Sequence, residues 1–188
     1  MSAPRRLHHE EIAEALPGRT GAIERMPVDL VVDNVRSLYN VGSIFRSCDG
    51  VAVRKLWLCG YTPHPPRREI DKTALGATES VPWQHVHDVR EALARVRDDG
   101  FRIAALEQTD VGRSLFDVTP EHFPLALVIG NEIDGVSDEA LALCDMAFEL
   151  PMRGAKHSLN VAVAAGVALY ESLRVWQTIS VAFENSTR

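Results

Sequence analysis

LALVIGNEIDGVSDEA (residues 125–140) opens with an unbroken apolar run, meets glycines at positions 130 and 135, and passes at Ser137 into a polar helix start. An uninterrupted run of this kind suits a strand buried on both faces, as in a parallel sheet covered by helices. Ser137 is a good N-cap, and Asp138 and Glu139 fall in the first turn, where the helix dipole favours negative charge. The stretch predicts strand, glycine loop and helix in succession, one unit of an α/β fold.

Working outward, the same alternation recurs. VDLVVDNV (28–35) is rich in β-branched residues, and Val41, Ile44, Phe45 and Cys48 follow at helical spacing. VRKLWLCG (53–60) is a second strand closed by a glycine. Val89, Leu93 and Val96 share one face of a helix from Asp88 to Arg97, which Gly100 ends. FRIAAL (101–106) and AFEL (147–150) are further short strands. The longest helix runs from Ser158 to about Trp176. It is alanine-rich and uncharged until Glu171, so most of its surface must be buried, within the fold or against another subunit.

This order predicts an α/β fold with a mainly parallel sheet and helices on both faces. Ligands of such sheets gather at the carboxyl ends of the strands, where DNVRSLYNVG, GNEIDGVS and LPMRGAKHSLN fall. Between the second and third strands, YTPHPPRREIDKTALGATESVPW (61–83) holds four prolines and little periodicity, and reads as a long loop. Residues 1–25 read as a short extension with one amphipathic helix, leaving 26–188 as a single domain.

Composition narrows the function classes. The chain has 188 residues, 46% hydrophobic and 24% charged, which is the globular average. No apolar run approaches the length of a membrane span, and the basic start is not followed by the apolar segment of a secretory signal. Cys48, Cys59 and Cys144 are widely spaced, so disulfide or metal frameworks are not expected and a reducing cytoplasm is. The net charge of −6 argues against a polyanionic partner, but the charge is uneven. Residues 34–72 carry seven basic side chains against three acidic, and residues 73–150 five against fifteen. A cationic face for phosphates and a merely uneven surface both satisfy that pattern.

Three clusters carry the candidate chemistry. Gly130 and Gly135 have the spacing of a phosphate loop, but Val136 and Ser137 stand where Lys and Ser/Thr would be required, and no G-x-G-x-x-G occurs. A nucleoside triphosphate or nicotinamide site is therefore disfavoured, while a plain strand-to-helix turn stays open. In Pro151–Asn160, Ser158 can cap the following helix, and Asn160 is a polar amide just inside it. Such an amide needs hydrogen-bond partners or costs about 1–3 kcal/mol. In Asn40-x-Gly42-x-x-x-Arg46, Asn40 could cap a helix, Gly42 implies close approach, and Arg46 reads either as a solvated charge or as a functional one. His85-x-His87 lacks a third metal ligand, and no metal is expected.

N-x-G-x-x-x-R, then G-x-E-x-x-G after a buried strand, then P-M-x-G-x-x-x-S-L-N before the last helix resembles the signature motifs of the SpoU (TrmH-like) branch of the SPOUT RNA methyltransferases. The resemblance spans residues 28 to about 174. It implies a C-terminal deep trefoil knot in the α/β domain, S-adenosyl-L-methionine as cofactor, methylation of a ribose 2′-hydroxyl of tRNA or rRNA, and a homodimer. By position, it places Leu106, Gly130, Leu150, Pro151, Met152, Ser158 and Leu159 at the cofactor. Asn40, Arg46, Glu132, Ser158 and Asn160 become the functional polar set, with Arg46 at the target nucleotide. Because its pKa lies above about 12, Arg46 suits phosphate positioning and alkoxide stabilisation better than base catalysis. Arg36, Arg67, Arg68, Lys72, Arg153 and Lys156 are the candidate RNA contacts. A non-catalytic RNA-binding or ribosome-assembly protein on the same fold is the rival reading.

Overall fold

The computed structural model describes residues 4–14 and 23–186. The short helix α1 (His9–Glu14) stands apart from the sheet in sequence, and the remainder of the expected N-terminal extension, at 1–3 and 15–22, lies outside the described residues. The body is a seven-stranded sheet in which every pairing is parallel. Its strands are β1 (Met26–Asp33), β2 (Val53–Cys59), β3 (Trp83–Val86), β4 (Arg102–Leu106), β5 (Arg113–Ser114), β6 (Leu125–Ile129) and β7 (Met146–Glu149). Their spatial order is β3-β2-β1-β6-β4-β7-β5.

Both faces of the sheet are buried, as the apolar run at 125–129 requires. Leu30 pairs in register with Leu56 of β2 and Leu127 of β6, and all three point into one core with Ile44, Phe45, Phe148 and Leu169. Val31, one residue on, joins Trp57, Val128, Leu93 and Val96 in the core on the other face. The first core is covered by α2 (Leu38–Gly50), α3 (Arg68–Ala74), α4 (Ala77–Ser80) and α7 (Val161–Ser186), the second by α5 (Val89–Asp98) and α6 (Asp138–Leu141). At Gly42 of α2 any Cβ would collide with the Thr73 hydroxyl and the Ile70 carbonyl of α3, so the glycine sets how closely these helices pack.

The structure departs from the sequence reading in three places. Residues 61–83 are not a long loop: they hold α3, α4 and the start of β3. Ile70 and Ala74 alone face the core from α3, too few positions to show a period, and Leu75 and Gly76 break the helix in the left-handed region. The N-cap of α2 is Ser37, whose hydroxyl accepts from the Asn40 N–H, so Asn40 does not cap it. The last helix begins at Val161, not Ser158, and extends past Trp176 to Ser186. Asn160 is its cap: its side-chain oxygen accepts from Ala162 N at 2.9 Å, while the Ser158 hydroxyl makes no hydrogen bond among the described residues.

After β4 the chain runs out to the edge, pairs there as β5, and returns through short 3-10 turns at Leu115–Asp117 and Pro120–His122 to β6. Strand β7 thus lies inside the sweep of residues 107–124 before the chain continues into α7. Successive strands move one way from β1 and the other way from β6, so a crevice opens at the carboxyl ends of these neighbours. Among the described residues no helix is long and apolar enough to cross a membrane.

Candidate active site

The loops that leave β1, β6 and β7 meet at this crevice. Glu132, in the loop after β6, is the node. Its carboxylate accepts from the backbone N–H groups of Arg36 and Ser37 at 3.0 and 3.1 Å and from the Asn40 amide at 2.9 Å. Asn40 in turn accepts from the Asn160 amide at 3.1 Å, so the three sequence motifs join in one hydrogen-bonded chain. Partial burial pushes the Glu132 pKa up, but the donors from Arg36, Asn40 and Ser37 outweigh it and hold the carboxyl below its usual range.

The loop itself is tightly closed. Asn131 and Gly135 exchange backbone hydrogen bonds at 2.8 and 3.0 Å, and Gly135 adopts a φ of +73°. A Cβ at Gly130 would strike the Gly135 backbone, so the first glycine serves the closure of the loop before it serves any ligand. Asn131 is buried, and its oxygen accepts from the Ile133 and Asp134 N–H groups. Beneath the loop, buried Asp33 accepts from Ser137 N at 3.0 Å, and Ser137 caps α6 through Ala140 N.

Beside this node lies a cavity of about 580 Å³. Leu106, Gly130, Glu132, Leu150, Met152, Ser158, Leu159 and Asn160 all line it. Pro151 is exposed and does not line it, and neither Asn40 nor Arg46 does. Arg46 is exposed on α2 and has no hydrogen bond or ion pair among the described residues. Glu107, Gln108, Asp134, Asp138, Glu149 and His157 also line the cavity, although the sequence reading gave none of them a place there, taking Asp138 as a helix-start residue and His157 as an RNA-contact or surface residue. Their signal was position alone, at or just beyond the carboxyl ends of β4, β6 and β7. Glu107 is pinned by the N–H groups of Gln108 and Val136 at 2.8 and 3.1 Å. The Gln108 amide donates to the His157 carbonyl, tying the loop after β4 to the loop after β7. Five carboxylates (Glu107, Glu132, Asp134, Asp138 and Glu149) line the cavity, and among the described residues no lysine or arginine does.

Two groups stand out among the basic residues. Arg54, Arg90, Arg95, Arg97 and Arg174 are engaged in ion pairs. The side chains of Arg36, Arg67, Arg68, Lys72, Arg153 and Lys156 are exposed and carry no ion pair or hydrogen bond among the described residues. The His85 ring does gain a neighbour, His64, at 4.5 Å between centroids, but no group of described side chains is placed to hold a metal ion.

A family model described as the SpoU rRNA Methylase family matches residues 27–170. The tRNA (guanosine(18)-2′-O)-methyltransferase of Aquifex aeolicus is 35% identical over 157 residues, covering 81% of this chain and 72% of that enzyme. The 23S rRNA (guanosine-2′-O-)-methyltransferase RlmB of Vibrio parahaemolyticus is 28% identical, covering 93% of this chain and 68% of its own length. Among solved structures, the SpoU methyltransferase AviRb of Streptomyces viridochromogenes in complex with the cofactor AdoMet superposes with a TM-score of 0.72 at 29% identity, over 87% of this chain and 65% of that one.

Proposed function

The chain belongs to the SpoU rRNA methylase family, and from that membership together with the site geometry we propose that it is an RNA methyltransferase using S-adenosyl-L-methionine to methylate a ribose 2′-hydroxyl of tRNA or rRNA. The observation that carries this reading is the hydrogen-bonded chain Glu132–Asn40–Asn160 at the mouth of the cavity, which assembles residues from three distant motifs at one point. The cavity fits the cofactor. S-adenosylmethionine bears a sulfonium and an ammonium, and a lining with five carboxylates, one histidine and, among the described residues, no lysine or arginine favours such a ligand over a phosphorylated nucleotide.

When bound, S-adenosylmethionine supplies an electrophilic methyl group. Gly130, Leu106, Leu150, Met152 and Leu159, which line the cavity, would hold it, and Ser158 offers a free hydroxyl beside them. Glu132 fixes the Arg36–Ser37 backbone, so the loop after β1 is pre-organised before RNA arrives. Arg46, exposed and unpaired among the described residues, would grip the phosphate beside the target ribose and stabilise negative charge developing on the 2′-oxygen. Arg36, Arg67, Arg68, Lys72, Arg153 and Lys156, equally unpaired, meet the RNA backbone.

The reading includes a homodimer and a C-terminal trefoil knot. Val163, Val167 and Tyr170 form an exposed stripe at helical spacing along α7, apolar surface that a second copy would cover. The stripe borders α2, the helix of Arg46, so a partner seated there would complete the target site. The placement of β7 inside the sweep of residues 107–124 supports the knot. The cytoplasm, where such RNAs are found, is the proposed location. Calorimetry with S-adenosylmethionine, ATP and NAD tests the cofactor, and only the first should bind. Mass spectrometry of nucleosides from cells with and without the gene tests the reaction, and one 2′-O-methyl nucleoside should be lost. An unchanged nucleoside profile would overturn the proposal.

A further inference from the structure

Tyr61, just beyond β2, has no part in the reading above, yet it is held at two points. Its backbone N–H donates to the Asn34 side-chain oxygen at 3.2 Å, and its hydroxyl accepts from the Asn131 amide at 2.8 Å. Asn34 follows β1 and Asn131 follows β6, and β1 lies between β2 and β6. The side chain therefore reaches across the carboxyl end of β1. Asn131 is a firm anchor, since the same amide also donates to the Asn34 carbonyl at 2.8 Å. Even so, Tyr61 is 59% exposed. A buried tyrosine usually finds a partner for its hydroxyl; Tyr61 has the partner without the burial. Here the two ends are fixed and the aromatic face is left in water.

The position of that face matters. Asn131 immediately precedes Glu132, the node of the candidate site, and the unpaired Arg67 and Arg68 lie further along the same segment as Tyr61. We propose that Tyr61 is the stacking platform for an unpaired base of the RNA substrate, beside the ribose that is methylated. This rests on the RNA methyltransferase reading. Methylation at the 2′-hydroxyl leaves the base chemically untouched, but proteins that select one RNA sequence take the nucleotide from a single-stranded loop, bulge or end, where its base is splayed out. A base so exposed loses its stacking neighbours, and a flat, pre-fixed ring replaces them at little entropic cost.

Two measurements test the proposal. Wild-type protein is irradiated with ultraviolet light in complex with unsubstituted total RNA from cells lacking the gene, and adducts are mapped by mass spectrometry. An adduct at Tyr61 is expected, and adducts confined to other segments overturn the proposal. In parallel, affinity for the same RNA is measured for Tyr61→Ala, Tyr61→Phe and Tyr61→Trp, with calorimetric S-adenosylmethionine affinity as the control for folding. Loss of a stacked base weakens RNA binding about 5- to 150-fold in the alanine variant, while the aromatic variants stay within about twofold of wild type. Alanine equal to wild type overturns the proposal. So does phenylalanine as weak as alanine, which would assign the effect to the hydroxyl anchor. Should the alanine variant fail the folding control, the aromatic variants and the crosslink decide. Wild-type protein that binds neither cofactor nor RNA overturns the parent reading as well, whereas RNA binding indifferent to residue 61 overturns this proposal alone.

Discussion

Asn40 and Glu132 are separated by 92 positions, and the amide of the first donates to the carboxylate of the second at 2.9 Å. That contact closes the gap between the helix after β1 and the loop after β6. It places Glu132 as an organiser of backbone, since its other acceptor contacts are also to N–H groups of the first loop.

A pH-dependent stability follows for Glu132. Its folded-state pKa is depressed, so its contribution is present above the unfolded value, about 4.3, and is lost as pH falls through the lower folded value. The Glu132→Gln variant should melt about 1–3 °C below wild type at pH 7, a modest gap because the carboxylate is largely solvated. The gap should narrow once pH drops below about 4. Thermal melts across pH check this, and equal melting at pH 7 would show that the anchor is idle.

Arg46→Ala should slow methyl transfer about 100-fold or more while leaving S-adenosylmethionine affinity within about twofold, because Arg46 lies outside the cavity. Single-turnover rates and calorimetry separate the two effects. Near-normal turnover would remove Arg46 from the chemistry.

The cap of α7 offers a structural test. Asn160→Ala should cost about 1 kcal/mol in urea unfolding, and Ser158→Ala should leave the midpoint unchanged. Asn160→Ala should also impair activity, since Asn40 loses a donor. A costly Ser158→Ala would mean that the helix starts earlier.

These substitutions mark where the sequence could and could not be read. The strands were legible because burial on both faces leaves an unmistakable apolar run, as at Leu125–Ile129. The helix at 89–98 was legible because one face is buried and its capping aspartate is plain. Helix α3 was not, since seven residues give barely two turns of period. Ser158 and Asn160 are both good caps, and only the backbone path decides between them. Asn160 stood out as a polar residue at the start of an apolar helix, and Glu132 and Asn40 through the family motifs, but that the three bond in one chain is a tertiary fact. Tyr61 and Glu107 carried no local signal, because each matters only through a neighbour from a different strand.

The stripe on α7 should hold two copies together. Light scattering is expected to report a dimer at micromolar concentration, and Val167→Glu should yield monomers. A stable wild-type monomer would contradict the assembly.

RNA binding should be strongly salt-dependent despite the acidic net charge. Each phosphate contact contributes a log–log slope of about −0.7 on single strands, and Arg67→Ala/Arg68→Ala should make the slope shallower by that amount per lost contact. The cofactor site is built from other loops, so calorimetric affinity should not move. Superimposable salt titrations would place the RNA surface elsewhere, around Arg153 and Lys156.

The bond between Asn160 and Asn40 spans 120 positions, and contacts of such long range form late. At synthesis rates of about 5–20 residues per second, the ribosome extrudes Asn40 roughly 6–24 seconds before Asn160. Through that interval the cavity lacks the wall formed by Leu150–Ala164, and Asn40 lacks its second partner. A nascent chain therefore emerges beside ribosomal RNA, mRNA and tRNA without the means to modify any of them. The order of synthesis itself withholds the activity until the C-terminal third has docked.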